Sequence, residues 1–194
     1  MAIEGDGSAV KDAAYFHTTE LFHRFVEPGQ AITCADSPAR VDAALQTVGK
    51  NLARQVHREI TTQAAADAAL KRIKSAPTFA AFEACDIVIE SVVEQDEAKR
   101  KVFADLKPVL KPETILASNT SSMSITRLAA TTDRPDKFIG LHFMNPPPVM
   151  ELVEIIRGLA TSQDTYDASV AFVQSLAKTI ANAEDFPAFI VNRI

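Results

Sequence analysis

A histidine and a glutamate flank a proline-rich reversal in this sequence. His142 lies in one strand-like stretch and Glu154 in the next, with three consecutive prolines, 146–148, between them. If the two stretches pair antiparallel about Pro148, His142 faces Glu154 directly, with Cβ atoms about 4.5–5.5 Å apart. A carboxylate beside an imidazole orients the ring and stabilises its charged form, as a general acid or base near neutral pH requires. The pair predicts proton-transfer chemistry; a structural contact at a sheet edge is the alternative interpretation.

Further polar side chains follow three other strand candidates. They are Asp36 after 31–35, Glu90 and Glu94 after 87–89, and the run Ser118–Ser122 after 114–117. In an open parallel sheet, ligands bind beyond the carboxyl ends of the strands, so these positions are candidates for a binding site. An acid after the first strand can accept hydrogen bonds from a ribose diol. Each position also has a structural interpretation, because an aspartate before Ser37-Pro38 suits a turn and a serine run before a helix suits an N-cap.

The elements that must position these side chains alternate between strand and helix signals. Strands are predicted at 31–35, 86–89, 114–117, 138–143, 152–156 and 179–181, and helices at 38–57, 64–73, 95–110, 124–130 and 165–177. This order predicts an α/β fold with a mainly parallel sheet covered by helices. Both ends of the chain differ from it. Apolar positions at helical spacing between Ser8 and Val26 predict an N-terminal helix before Pro28-Gly29, and an apolar helix is expected to begin after Pro187.

The composition narrows the function classes. The chain has 194 residues, 47% of them hydrophobic, and a formal net charge of -5, which fits a folded globular domain and excludes a disordered chain. Acidic residues outnumber basic ones, so the net charge does not favour binding to nucleic acid or to an anionic membrane. Cys34 and Cys85 lack the spacing of a metal site or a disulfide framework, so no metal is expected. No apolar run or leader pattern is evident, and a cytoplasmic location is the resulting expectation.

Three motifs in register carry a family resemblance. They are the segments 118–122 (SNTSS), 140–146 (GLHFMNP) and 189–193 (FIVNR). In this order and spacing they resemble the NAD-binding domain of L-3-hydroxyacyl-CoA dehydrogenases, in particular that of bacterial 3-hydroxybutyryl-CoA dehydrogenases. The resemblance implies a Rossmann-like, doubly wound sheet. It also implies oxidation of an L-3-hydroxyacyl-CoA to the 3-oxoacyl-CoA, with NAD as cofactor and an acyl-CoA as substrate.

The resemblance assigns roles to individual residues. His142 matches the catalytic base and Glu154 the acid that orients it, while Ser121 and Asn145 match residues that contact substrate and nicotinamide. The remaining matches are Asn192 as an active-site asparagine and Asp36, Glu94 and Lys99 as NAD contacts. Lys50 and Arg54, on a basic helix stripe, are candidates for the phosphates of coenzyme A, although such a stripe is usually a solvated helix face.

Two departures from the family pattern limit these expectations. The family opens with a strand and a G-x-G-x-x-G turn that holds the pyrophosphate, but here Gly5 and Gly7 are followed by Val10 at the third position. We therefore expect 1–30 to be an atypical, helical segment, the sheet to be incomplete at its first strand, and 31–185 to be the NAD-binding domain. The second departure is that residues 186–194 only begin the family's C-terminal helical domain.

These departures predict weak NAD binding and slow turnover by this chain, with a homodimer or another partner covering the surface that the helical domain would cover. The alternatives are a catalytically silent structural or binding relative, and an interaction module.

Overall fold

Eight strands form a single sheet in the computed structural model, which describes residues 12–16, 30–34, 38–145, 147 and 149–193. The strands are Asp12–Phe16 (β1), Gln30–Cys34 (β2), Ile73–Ser75 (β3), Ile87–Glu90 (β4), Ile115–Ser118 (β5), Phe138–Phe143 (β6), Leu152–Arg157 (β7) and Thr179–Ala183 (β8). Their order across the sheet is β3-β2-β1-β4-β5-β6-β7-β8. All neighbours pair parallel except β6 and β7, which are antiparallel. The prediction of a mainly parallel α/β sheet is confirmed.

Five α-helices in the described ranges cover the two faces of this sheet. They are Pro38–His57 (α1), Gln63–Arg72 (α2), Asp96–Leu106 (α3), Ile125–Ala129 (α4) and Gln163–Ser175 (α5). Hydroxyl groups cap three of them, since Thr62, Ser124 and Ser162 each accept a hydrogen bond from a backbone N–H in the first turn of their helix. Apolar residues of α1, α2 and α5 pack on one face, and apolar residues of α3 and α4 pack on the other.

The alternation of side chains along the central strands explains this two-sided core. In β4, Ile87 and Ile89 contact the α1 face while Val88 contacts the α3 face. Side chains along a strand point alternately to opposite faces, and helices cover both faces of this sheet. Every residue of β4 is therefore buried. The same alternation in β6 puts Leu141 on the α1 face and directs His142 to the α3 face.

The chain reverses direction across the sheet at β1. From β1 it runs outward through β2 and β3, and then crosses back to β4 on the other side of β1. A crevice opens beyond the carboxyl ends of the strands at such a switch point, and dinucleotides bind there in doubly wound folds. Glu94 and the run 118–122 follow the carboxyl ends of β4 and β5, the two strands next to β1 on one side of the switch point.

Two predictions for the N-terminal segment are wrong. Residues Asp12–Phe16, predicted to be helical, form β1, and the sheet is therefore not incomplete at its first strand. β1 lies between β2 and β4 and pairs parallel with both. Two ladders of backbone hydrogen bonds outweigh the local helical spacing of a few apolar residues, because tertiary context overrides propensity. The rest of the predicted helix lies outside the described residues.

The apolar helix predicted after Pro187 is also not formed. The segment 186–193, which we call the strap, consists of turns and a single 3₁₀ turn at Val191–Arg193. Ala188 and Phe189 adopt the left-handed region, with φ of 65° and 47°, which an α-helix does not allow. Phe189 is 2% exposed and packs in the core of the α3 face. This anchor, together with backbone contacts described below, explains why the strap is not helical.

Candidate active site

His142 and Glu154 form the centre of the candidate site. The antiparallel register of β6 and β7 sets them directly opposite each other, as the reversal about Pro148 predicted. His142 Nδ1 lies 2.7 Å from Glu154 Oε2. His142 is 6% exposed and Glu154 has no exposed surface. We assign the proton of this contact to Nδ1, because a carboxylate oxygen accepts hydrogen bonds. With this tautomer, Nε2 is the ring nitrogen that can take a proton.

The second carboxylate oxygen of Glu154 binds the strap. Oε1 accepts hydrogen bonds from the backbone N–H of Ile190 at 2.8 Å and of Val191 at 2.9 Å. The rings of Phe189 and His142 lie 5.9 Å apart, centroid to centroid, in a tilted arrangement. Glu154 therefore joins the imidazole to the strap through its two oxygens, and the carboxylate is fixed from both sides.

The polar run after β5 forms a loop that Glu94 holds in place. Oε1 of Glu94 accepts hydrogen bonds from Thr120 Oγ1 at 2.5 Å and from the backbone N–H groups of Ser121 at 2.9 Å and Ser122 at 3.2 Å. We call residues 118–122 the serine loop. On its other side, Asn192 of the strap donates from Nδ2 to the carbonyl of Ser121 at 3.1 Å. Ser121 is thus held between Glu94 and the strap.

Glu94 is ionised in this arrangement. Burial acts to raise the pKa of its carboxyl, but the hydrogen bond from Thr120, the charge of Lys99 and the backbone N–H of Ser121 together hold that pKa below the usual 4.5. Because the carboxylate stays deprotonated at neutral pH, its oxygens remain hydrogen-bond acceptors for the donors of the serine loop.

This depressed pKa predicts a pH-dependent contribution to stability. The folded state favours the deprotonated form of Glu94, so its stabilisation is complete above pH 4.5 and is lost as the pH falls through the lower folded-state pKa. We expect the parent to exceed Glu94→Gln in free energy of unfolding at neutral pH, and this difference to close in acid. Urea unfolding of both proteins across the pH range measures it. Glu113→Gln, in an exposed turn, is the matched control, and a Glu94 difference that stays constant with pH would contradict the assignment.

The ammonium of Lys99 lies between two carboxylates. Lys99 has no exposed surface, and its ammonium binds Glu90 at 2.9 Å and Glu94 at 3.1 Å. Lys99 supports Glu94 in this structure, and the NAD contact that the resemblance implies for Lys99 stays a prediction. A buried ammonium needs paired carboxylates, and both of these lie on the side of the serine loop.

The other predicted site residues differ in their position relative to the dyad. Asn145 is exposed beyond the end of β6, at the same strand end as His142. Lys50 and Arg54 are exposed on α1, which packs on the opposite face of the sheet, and Arg54 donates to Asn51. Asp36 lies outside the described residues. Among the residues that the structure describes, no group of three metal-ligating side chains lies together.

Comparison with known proteins identifies the family to which this site belongs. The family model for the NAD-binding domain of 3-hydroxyacyl-CoA dehydrogenase matches residues 19–186. The chain belongs to the 3-hydroxyacyl-CoA dehydrogenase family. A 3-hydroxybutyryl-CoA dehydrogenase of Bradyrhizobium diazoefficiens is 56% identical over 158 residues, which cover 81% of this chain and 54% of that protein. A probable 3-hydroxybutyryl-CoA dehydrogenase of Bacillus subtilis is 44% identical over 158 residues and is covered to 55%.

Solved structures agree with this assignment of the 3-hydroxyacyl-CoA dehydrogenase family. The crystal structure of (S)-3-hydroxybutyryl-CoA dehydrogenase from Ralstonia eutropha matches with a TM-score of 0.90 and 37% identity, over 96% of this chain and 68% of that one. The chain spans about half the length of the curated relatives that it matches. None of the helices in the described part of the chain is long and apolar enough to cross a membrane.

The sequence places Glu90 and Asn119 among the candidate positions at strand ends, but it gives little sign of the contacts that they make. Glu90 is fully buried in β4, and Asn119 bridges three strand ends. Asn119 Oδ1 accepts from Phe143 N at 2.9 Å, and its Nδ2 donates to Ser91 Oγ at 3.0 Å. For Glu90, the signal is a carboxylate inside an apolar strand, because a buried acid requires a partner. For Asn119, a single amide in a hydroxyl run gave no means of predicting the contacts.

Proposed function

We propose that this chain carries the dehydrogenase site for an L-3-hydroxyacyl-CoA, which it oxidises to the 3-oxoacyl-CoA. The observation that carries the proposal is the buried His142–Glu154 pair, in which the carboxylate binds Nδ1 and Nε2 has no hydrogen bond to a residue in the described ranges. Membership of the 3-hydroxyacyl-CoA dehydrogenase family and the names of the relatives support the same reaction.

The proton step follows from the geometry of the pair. Oxidation of a secondary alcohol removes a proton from oxygen and a hydride from carbon. His142 takes the hydroxyl proton at Nε2 while its Nδ1–H remains bonded to Glu154. The imidazolium that results lies 2.7 Å from a fully buried carboxylate, which stabilises the positive charge in a site with little water. In the reverse direction the same nitrogen returns the proton.

The groups around the dyad fit a nicotinamide and a substrate oxygen. Ser121, Asn145 and Asn192 supply neutral hydroxyl and amide groups, and two of them lie on the serine loop and the strap. Such groups bind a carboxamide or a carbonyl without placing a second charge near the imidazole. NAD bound here would supply the hydride acceptor. Asp36, Ser121 and Asn145 are the residues proposed to hold it, with Glu94 fixing the serine loop.

The pyrophosphate half of a dinucleotide site fits less well. In this fold the phosphates bind at the turn that follows β1, where glycines allow close approach of the backbone. The sequence from 17 to 29, between β1 and β2, contains only Gly29. This favours the second candidate function, a catalytically silent structural or binding relative with the same fold.

One experiment decides between the two candidates. Titration of the chain with NADH, followed by cofactor fluorescence, is expected to give saturable binding weaker than micromolar, and acetoacetyl-CoA is expected to be reduced slowly. Asp36→Ala should weaken NADH binding. Asp67→Ala should not, because the Asp67 carboxylate lies on the exposed face of α2, where it contacts Gln63. No saturable binding and no turnover would favour the silent relative. Micromolar binding would show that residues before Gln30 supply a substitute phosphate site.

A further inference from the structure

Beneath the serine loop lies a group of three charged side chains, and only one of them reaches solvent. Glu90 and Lys99 have no exposed surface, whereas the side chain of Glu94 is 38% exposed. The Lys99 ammonium lies 2.9 Å and 3.1 Å from the two oxygens of Glu90 and 3.1 Å from Oε2 of Glu94. Glu90 is therefore the innermost member of a chain of contacts that runs from Glu90 through Lys99 and Glu94 to the serine loop.

The carboxylate of Glu90 is fully occupied. Besides Lys99, Oε1 accepts from the backbone N–H of Val92 at 2.6 Å, and Oε2 accepts from the hydroxyl of Ser118 at 2.6 Å. The backbone carbonyl of Glu90 also accepts from Asn119 N at 2.8 Å. Glu90 thus binds the first two residues of the serine loop directly and holds the other end of the loop through Lys99 and Glu94.

Burial of charged side chains costs solvation free energy and adds little net stability to a fold. An ion pair in the interior is often no more stable than apolar side chains of the same volume, because each charge loses its hydration. What the Glu90 carboxylate provides here, and an apolar side chain would not, is acceptors for three donor groups with fixed directions, on Val92, Lys99 and Ser118. This points to placement of the loop, and not to stability alone, as the role of the residue.

We propose that Glu90 is a positioning residue for the dehydrogenase site, acting on Ser121 through Lys99 and Glu94. The inference rests on the proposed function, since Ser121 is a proposed contact of substrate and nicotinamide. Glu90 touches neither. With Glu90 neutral, Glu94 is the one charged partner left to the Lys99 ammonium among the residues that the structure describes. The ammonium then draws that carboxylate away from the N–H groups of Ser121 and Ser122.

Hydrogen exchange of the serine loop tests this without any need for cofactor. In Glu90→Gln, the amides of Ser121 and Ser122 are expected to exchange about tenfold faster or more, because their charged acceptor is displaced. The matched control is Asp86→Asn, which neutralises an acid paired with Lys111 at the opposite end of β4. The control should leave loop exchange unchanged. Unchanged exchange in Glu90→Gln, or the same acceleration in Asp86→Asn at equal global stability, would overturn the proposal.

A double variant tests whether the effect runs through Lys99. In Glu90→Gln combined with Lys99→Met no ammonium draws Glu94 away, so the amides of Ser121 and Ser122 should return towards the slow exchange of the parent. Exchange as fast as in Glu90→Gln alone would show that Glu90 does not act through Lys99 and Glu94, and would overturn the proposal. If Glu90→Gln does not fold, Ser118→Ala removes one donor to Glu90 and should accelerate loop exchange by a smaller factor; no acceleration would count against the proposal.

NADH titration of the same proteins keeps the two proposals distinguishable. If the parent binds NADH, Glu90→Gln should raise the Kd by about tenfold while Asp86→Asn leaves it unchanged. If the parent does not bind NADH, the proposed function fails, and the exchange data still decide whether Glu90 places the loop.

Discussion

Replacing Glu154 by glutamine is expected to move the proton of neutral His142 from Nδ1 to Nε2 and to lower turnover by roughly 10²–10⁴-fold. The two carboxylate oxygens of Glu154 have different partners, and only one of them can become an NH₂ group. Oε1 accepts from two backbone donors, at Ile190 and Val191, so the amide oxygen of glutamine takes that position. The NH₂ group then faces Nδ1 of His142, which must accept.

The loss of activity follows from this reversal of the imidazole. With Nδ1 accepting, the neutral ring carries its proton on Nε2, the nitrogen that is required to take the hydroxyl proton. The base is then blocked although no atom of His142 has changed. The variant also removes the negative charge beside the imidazolium, so both the ring orientation and the stabilisation of its charged form are affected.

Two measurements check this prediction. Nitrogen-15 NMR of the imidazole ring reports which nitrogen is protonated, and His142→Gln identifies the signal among the four histidines. Reduction of acetoacetyl-CoA by NADH reports turnover. Glu151→Gln, the same change at an exposed position three residues earlier, is the matched control and should alter neither. A Glu154→Gln protein with the proton still on Nδ1 would contradict the assignment of the two oxygens.

The pairing of His142 with Glu154 could be predicted because it depends only on the position of one chain reversal and on the local pattern of two strands. A reversal centred on Pro148 and the alternation of side chains along two strands determine which residues face each other, and the register confirms the pairing. The roles of Ser121, Asn145 and Asn192 stay predictions.

What could not be predicted depends on contacts between segments that are distant in sequence. Asp12–Phe16 form a central strand because β2 and β4 pair with them on both sides, which a local pattern does not reveal. The strap is not helical because a glutamate 36 residues before Ile190 binds its backbone. In the sequence, Lys99 is one of several charged residues of α3, and nothing sets it apart from the others. The three-dimensional structure shows that its ammonium is buried between Glu90 and Glu94.

Gly140→Val is expected to lower the free energy of unfolding by about 1–3 kcal/mol or more, because the side chain has no space at that position. A Cβ atom on Gly140 would lie 2.8 Å from Cγ1 and Cδ1 of Ile125 and 3.0 Å from Cβ of Ile156. Ile125 belongs to α4 and Ile156 to β7, and both side chains are fully buried. Room can be made only by turning the Ile125 side chain out of its place in the buried core, by moving α4, or by separating β6 from β7 at a position two residues from His142.

Gly49 provides the matched control, because it is a glycine in the same chain with the opposite surroundings. It lies inside α1, and a Cβ built there would meet no atom within 4 Å. Gly49→Ala should raise the free energy of unfolding by about 0.5–1 kcal/mol, since alanine loses less backbone entropy on folding. Urea unfolding of the two variants should therefore give shifts of opposite sign. A Gly140→Val protein as stable as the parent would mean that α4 does not pack against β6 at this distance, and the face of the sheet that carries the dyad would have to be placed differently.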